Sequence, residues 1–289
     1  MDQAEQLRNV VKLHNQRNIS NARVLTVTSG KGGVGKSNTA VNLAVWFRKM
    51  GKRVIIFDAD FGLANVEVMF GTVPQYNLSD FIYGNMQISD IITEGPMGIG
   101  FISGGSGIVG LNNLSGEQVS NLVHSLSKLN ELTDILIIDT GAGVSDSVLD
   151  FVLASPEVLL ITTPEPSSLT DSYSLIKALY KNPKFIKSQT KIRVIANKVS
   201  TKEEGVAVYD KLNSVVSKFL HGNVDFLGII PTDPALEKAV RSQQVVSMST
   251  VNAKSSKAFE QVANSLFSTE FVDKNVWGIS HLFSSFMKK

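Results

Sequence analysis

The sequence predicts an α/β domain with a doubly wound, mostly parallel sheet and helices on both faces. Short apolar runs alternate with stretches of helical periodicity, and each run is continuously apolar, as in parallel strands buried on both sides. Right-handed crossover helices would join these strands. We expect one domain over residues 23–272, a short segment (residues 1–22) before it and an amphipathic helix (residues 273–289) after it. The seven runs are Val24–Val27, Val54–Phe57, Ile99–Ile102, Ile135–Ile138, Val158–Ile161, Ile192–Ala196 and Phe226–Ile230.

The first apolar run leads into a glycine-rich octet that satisfies every fixed position of a phosphate-binding loop. A predicted helix from Asn38 to Met50 follows it, as the motif requires. Backbone N–H groups of such a loop, together with the positive end of the helix, bind polyphosphate. We expect Asn38 and the whole octet to contact a nucleoside triphosphate, with Lys36 at the β and γ phosphates and Ser37 at Mg²⁺. The alternative is a glycine turn with incidental lysines. The octet is Gly30, Lys31, Gly32, Gly33, Val34, Gly35, Lys36 and Ser37.

Carboxylates follow two further runs. Asp58 and Asp60 come directly after the second run, and Asp139 comes directly after the fourth. Ligands of such sheets bind beyond the carboxyl ends of the strands, so we expect three strand ends to converge on one nucleotide. Asp139 stands where phosphate-loop ATPases keep an acid close to Mg²⁺, and we expect it to act through water. Taken singly, each carboxylate could instead be a helix cap or a turn former.

Composition excludes several classes of protein. The formal net charge is +2, and the lysines and arginines are scattered along the sequence, so we expect no specific nucleic-acid partner. The chain has no cysteine, which excludes disulfides, thiolate zinc sites and cysteine-ligated iron–sulfur clusters within it. There is no apolar signal-peptide core and no run near the roughly 20 residues of a spanning helix. A cytoplasmic protein is expected.

These segments resemble the MinD/ParA group of deviant phosphate-loop ATPases over about residues 23–269. Lys31 is the additional lysine that marks the group, and Phe57–Asp60 and Ile138–Gly143 look like its two switch motifs. The resemblance implies a homodimer that forms with ATP, binds ATP or ADP with Mg²⁺ and hydrolyses ATP slowly. Lys31 would then contact the phosphates of the partner chain, while Lys36 contacts those of its own chain.

The same resemblance implies roles for further residues. Asp60 matches the carboxylate that positions the attacking water, so Asp60, Lys31 and Lys36 are the expected catalytic residues. Ser37, Asp58 and Asp139 match the positions near Mg²⁺, the two aspartates through water. The family places an asparagine after a late strand against adenine, which here is Asn197, and Pro231 would flank the base. An asparagine at that place is otherwise a common turn residue.

The N-terminal segment resembles the element with which the flagellar branch of this group binds and activates the SRP-type GTPase FlhF. This branch regulates flagellar number and placement, and the resemblance also implies contacts with basal-body proteins of the switch complex. Isolated helices this short are marginal, so the segment should order only on its partner. The alternative is a terminus without function. The expected partner-binding residues are Asp2, Gln3, Ala4, Leu7 and Arg8.

The C-terminal residues combine an apolar stripe at helical spacing with lysines at both ends, which favours a helix lying in a membrane interface. In relatives the helix is thought to be released when ATP drives dimerisation. We therefore expect attachment to the anionic inner face of the cell membrane in the ATP state. The alternative is a helix docked on its own core. The expected membrane residues are Val276, Trp277, Ile279, Leu282, Phe283, Phe286 and Met287.

The same group contains three other functional classes. A MinD-type division-site regulator would share the membrane helix, but such chains usually begin almost at the first strand, whereas 22 residues precede Arg23 here. A ParA-type DNA-partitioning ATPase would need a basic surface, and the sequence shows no basic cluster. Iron–sulfur carriers are excluded by the missing cysteines.

Overall fold

The computed structural model describes residues 22–61, 65–84, 86–105 and 128–268. The two predicted terminal elements, with their partner-binding and membrane residues, lie outside these ranges. Within them, no helix is long and apolar enough to cross a membrane.

Eight strands in the described residues form one sheet, which confirms the predicted fold class. Its order is β3-β4-β2-β5-β1-β6-β7-β8, and every neighbouring pair is parallel except β3 and β4. Each predicted run lies largely or wholly within a strand, whereas the antiparallel β3 was not predicted. The strands are β1 (Arg23–Ser29), β2 (Val54–Ala59), β3 (Thr93–Glu94), β4 (Gly100–Ser103), β5 (Ile135–Ala142), β6 (Glu157–Thr162), β7 (Lys191–Val199) and β8 (Asp225–Pro231).

Helices cover both faces of the sheet. They are needed on both, because successive residues of a strand point to opposite faces and both sets of side chains are apolar. Leu159 packs on one face in a cluster with Phe47 and Phe259, while the next residue, Leu160, packs on the other with Leu175. The described helices are α1 (Lys36–Lys49), α2 (Asn65–Phe70), α3 (Leu78–Tyr83), α4 (Leu129–Leu132), α5 (Asp146–Ala154), α6 (Pro166–Lys181), α7 (Lys202–Leu220), α8 (Pro234–Arg241), α9 (Val246–Ser249) and α10 (Lys254–Ser268), with 3-10 turns at Ile88–Ile91 and Pro96–Gly98.

A buried ion pair joins the start of β1 to the start of β6, and a hydrogen bond connects it to the end of α10. Arg23 donates from Nε and Nη2 to the two carboxylate oxygens of Glu157, at 2.7 and 2.8 Å. Its Nη1 donates to the carbonyl oxygen of Leu266 at 2.7 Å. The described chain therefore enters and leaves at the amino edge of the sheet, where the parallel strands begin. The phosphate-binding octet lies at the opposite, carboxyl edge.

Candidate functional site

The glycine-rich octet forms the turn between β1 and α1. Gly33 and Gly35 have φ values of +74° and +97°, a left-handed conformation that favours glycine. Gly35 is the N-cap of α1 and supplies no side-chain cap, so the first N–H groups of this helix remain available to an anion. A Cβ on Gly30 would lie 2.1 Å from the backbone carbon of Asp171, so the loop passes closely against α6.

The end of β7 holds this loop in place. The Asn197 side-chain amide donates to the Val34 carbonyl oxygen at 2.7 Å, and Lys198 Nζ donates to the Gly33 carbonyl oxygen at 2.9 Å. A Cβ on Gly35 would lie 2.3 Å from Asn197 Nδ2. Sequence reasoning assigned Asn197 to adenine and missed both contacts with the loop. It also missed Lys198. The only sequence signal for a role of Lys198 at the site was its position near the end of a predicted strand.

The structure brings the three predicted carboxylates to one place. Asp58 and Asp139 are register partners on adjacent strands, and both lie within their strands rather than beyond them. Asp58 accepts hydrogen bonds from the backbone N–H groups of Asp60 and Val66, at 3.2 and 3.1 Å. Asp60 follows β2 directly, and its carboxylate accepts a hydrogen bond from the Asn65 amide at 3.1 Å.

Burial dominates the electrostatics of this acidic group. It raises the pKa of Asp139, an effect that Ser37 and Lys36 partly offset. It also raises the pKa of Asp58, with a further contribution from the Asp139 charge. The pKa of Asp60 is raised by burial and lowered in part by Lys36 and Asn65. When these three carboxylates are ionised, a cation close by is needed to neutralise their buried negative charges.

The residues present fit a Mg²⁺ ion. Both Asp139 carboxylate oxygens are buried, and neither accepts a well-formed hydrogen bond among the described residues, although the Ser37 hydroxyl lies near enough to lower the pKa of Asp139. Mg²⁺ binds oxygen ligands and usually keeps several waters, with one or two carboxylates and substrate phosphates. No cluster of three or more acidic, histidine or cysteine residues suited to a metal occurs in the described ranges. Ser37, phosphate and water would therefore have to complete the coordination.

The buried acids predict a pH-dependent stability for the chain without nucleotide and Mg²⁺. Because their pKa values are raised from 3.8 to about 8 for Asp58 and about 7 for Asp139, the folded state retains protons that the unfolded state has lost. Stability should therefore fall as pH rises from about 4 to about 8. Because each kcal/mol lost lowers the Tm of a domain this size by about 2–4 °C, the Tm should fall measurably. Calorimetry across this range measures the drop.

Asp139→Asn should flatten this profile, because its amide does not ionise, and Mg²⁺ with ATP should flatten it in the unmodified chain. Asp225→Asn, at an exposed acid on the opposite edge, is the matched control and should leave the profile unchanged. A Tm that rises between pH 6 and 8 would contradict the assignment.

Lys31 is held by its own chain. Its ammonium donates to the Glu165 carboxylate at 2.8 Å and to the Ser167 hydroxyl at 2.7 Å, at the start of α6. This contact lowers the pKa of Glu165. Both side chains are partly exposed, so a competing anion can separate Lys31 from Glu165. The trans contact expected for Lys31 would require this pair to separate.

Replacing Glu165 by glutamine should favour release of Lys31. The variant keeps the size of the side chain and removes its charge, so ATP-dependent dimerisation should strengthen by about two- to fivefold, the range for one exposed ion pair. Analytical ultracentrifugation with a non-hydrolysable ATP analogue measures this change. Glu131→Gln, at an exposed glutamate of α4 outside the nucleotide cleft, serves as the control. Weaker dimerisation of Glu165→Gln would show that Glu165 supports the dimer instead.

A cleft of about 460 Å³ continues from the octet between the ends of β7 and β8. Asn38, Asn197 and Pro231 line it, so these three predicted nucleotide contacts share one cavity. Sequence reasoning missed the wall formed by the segment after β8, where Asp233 caps α8 by accepting from the Ala235 N–H at 2.9 Å. The further lining residues there are Thr232, Leu236, Glu237, Val240 and Arg241.

Comparison with known proteins identifies flagellar and cell-division relatives. The ParA family profile, described as NUBPL iron-transfer P-loop NTPase, matches residues 20–267. The antiactivator FleN of Pseudomonas aeruginosa is 40% identical over 241 residues, covering 83% of this chain and 85% of FleN. The flagellum site-determining protein YlxH of Helicobacter pylori is 36% identical over 277 residues, covering 92% and 90%. The crystal structure of the cell division ATPase MinD of Pyrococcus furiosus has a TM-score of 0.66 and 25% identity, covering 85% of this chain and 98% of that one.

Proposed function

Because the chain belongs to the ParA/MinD family of P-loop ATPases, we propose that it is an FlhG-type regulator, an ATPase switch that sets the number and placement of flagella. The observation that carries this proposal is the similarity to FleN and YlxH along most of the chain. Its identity to both exceeds its identity to the MinD structure. An iron-transfer role is not supported by a chain without cysteine.

The switch would work through the carboxyl edge of the sheet. Lys36 and the N–H groups of the octet bind the phosphates, and the cleft beside Asn197 and Pro231 takes adenosine. Ser37, Asp58 and Asp139 would hold Mg²⁺, the two aspartates through water, and the ion would supply positive charge to the phosphates. Asp60 orients the attacking water, since it is the one of the three carboxylates beyond its strand. Lys31 leaves Glu165 and contacts the phosphates of the partner chain.

Cellular placement is the direct test of the proposed function. A flagellated bacterium that lacks its own FleN-type regulator should regain its normal flagellar number when this chain is expressed. Asp60→Ala should fail to restore it, while Asp225→Ala, at the opposite edge, should succeed. Flagella are counted by electron microscopy. Restoration of division-site placement in a MinD-deficient strain, without any flagellar effect, would support the MinD-type alternative instead.

The N-terminal segment would activate the GTPase FlhF, and this part of the proposal has its own test. Deleting residues 1–21 should abolish stimulation of FlhF GTPase activity while leaving ATP hydrolysis unchanged, because every residue assigned to the nucleotide site lies after residue 29. Leu7→Asp should act like the deletion, and Asn15→Asp, outside the expected partner-binding residues, is the control. Undiminished stimulation by the truncated chain would remove FlhF from the proposal.

Membrane attachment completes the proposed cycle. The ATP dimer presents two C-terminal helices to the anionic inner face of the cell membrane, and hydrolysis returns the protein to the cytoplasm. One short amphipathic helix binds weakly, so two copies favour attachment of the dimer. Phe283→Asp should abolish ATP-dependent sedimentation with anionic vesicles. Equal sedimentation with ADP and ATP would contradict the nucleotide control.

A further inference from the structure

We propose that the folded domain carries a second membrane contact, a basal patch that binds anionic lipid headgroups beside the C-terminal helix. The basal patch consists of Lys181, Lys184, Ile186 and Lys187, at the end of α6 and in the loop before β7, and Lys218 in the last turn of α7. The inference rests on the membrane attachment proposed above. It adds a surface of the described domain to the predicted helix.

The basal patch combines positive charge with exposed apolar surface. Its four lysines are exposed, and Ile186 is 49% exposed. Residues 181–191 and 218–224 contain no aspartate or glutamate, so no acid within either segment offsets these charges. An apolar side chain among lysines suits a bilayer interface, where the lysines meet headgroups and the apolar group enters the acyl boundary.

The fold holds the two segments of the basal patch together. Lys187 Nζ donates to the carbonyl oxygens of Leu220 and His221, at 3.2 and 3.4 Å, at the end of α7. The rings of Tyr180 and Phe185 lie 5.0 Å apart beneath the loop. Lys218 is 31 residues or more from the three lysines of the first segment, and the fold thus places both segments on one surface.

The basal patch lies at the edge from which the C-terminal residues depart. Strand register pairs Lys191 with Glu157, and Glu157 with Leu25, so β7 begins level with β1 and two strands away, a distance of about 10 Å. Leu266, near the end of α10, is bonded to Arg23 at this edge. The described chain therefore ends at the edge that also carries the basal patch, on the opposite face of the sheet from α6 and α7.

A basic patch in addition to the predicted helix would strengthen membrane attachment. A single short anchor gives marginal, reversible binding, and a basic surface beside it makes attachment stable. Each lysine close to an anionic surface contributes roughly a fivefold gain in affinity. The phosphate backbone of a nucleic acid would attract the same lysines, but it offers no apolar environment for Ile186. The bilayer is therefore the favoured partner.

Vesicle sedimentation of the full chain with a non-hydrolysable ATP analogue tests this inference. The vesicles are phosphatidylcholine with or without phosphatidylglycerol. Lys184→Gln with Lys218→Gln should weaken binding to the anionic vesicles by about 25-fold, because two lysine contributions are lost. The matched control is Lys202→Gln with Lys257→Gln, two exposed lysines outside the amino edge, and it should bind like the unmodified chain. Ile186→Ser should also weaken binding, which a purely electrostatic effect would not produce.

The outcomes separate this inference from the proposed function. If the unmodified chain binds anionic vesicles and the Lys184, Lys218 variant binds equally well, the basal patch has no such role, while membrane attachment by the helix stands. If the unmodified chain does not bind, membrane attachment and the basal patch both fail. If that variant loses binding to duplex DNA but keeps vesicle binding, the basal patch contacts nucleic acid and the inference is overturned.

Discussion

Replacing Asp60 by alanine should lower ATP turnover by about 100-fold or more while leaving ATP binding close to that of the unmodified chain. A positioned acid–base group contributes roughly 10²–10⁴-fold to a rate, and here it would orient the attacking water. The octet, Lys36 and the adenosine cleft are unchanged in this variant, so the nucleotide stays bound. The ATP dimer should accumulate, because hydrolysis no longer separates it. Steady-state phosphate release and nucleotide titration measure the two effects.

A control is needed because Asp60 also accepts a hydrogen bond from Asn65. Asn65→Ala removes that bond and keeps the carboxylate, so it separates loss of local order from loss of the catalytic group. It should retain most of the turnover. If Asp60→Ala hydrolyses ATP at the unmodified rate, Asp60 does not position the water.

Replacing Lys31 by alanine should uncouple nucleotide binding from dimerisation. Lys36 and the loop amides still hold ATP, but each half of the dimer loses a cation aimed at the partner's phosphates. Truncating one member of a buried charge pair costs roughly 2–5 kcal/mol, so the dimer dissociation constant should rise by at least about 30-fold. Turnover should fall with dimer occupancy, as measured by rate against protein concentration.

Lys202→Ala, at an exposed lysine at the start of α7, is the matched control for Lys31→Ala and should dimerise normally. Glu165→Ala frees Lys31 without removing it and should not reproduce the loss. Normal dimerisation and turnover of Lys31→Ala would mean that Lys31 serves only its intramolecular pair with Glu165.

Most of the fold was predictable from local patterns in the sequence. Strands buried on both faces read as continuous apolar runs, and seven such runs became β1, β2 and β4 to β8. The octet specifies its own turn, since its glycines permit left-handed backbone and a helix follows. The sequence did not predict β3, which has only two residues, Thr93 and Glu94. This strand forms by pairing with β4, and no local pattern encodes that pairing.

The parts of the site that escaped prediction depend on contacts between distant residues. Lys31 and Glu165 are 134 residues apart, and Lys198 reaches the Gly33 carbonyl across 165 residues. Such partners follow from the packing of crossover helices onto the sheet rather than from periodicity. The carboxylates were predictable as a group because parallel strands share one carboxyl edge. Their burial, and the raised pKa values of Asp58 and Asp139 that follow from it, emerged only with the packed sheet.

In the proposed cycle the bound nucleotide controls dimerisation, and light scattering after size exclusion measures the mass of the species formed. Asp60→Ala with ATP and Mg²⁺ should elute with twice the mass of one chain. The same variant with ADP, or with Lys31→Ala added, should elute as one chain. A single-chain mass for Asp60→Ala under saturating ATP, at concentrations where binding is verified, would contradict the account.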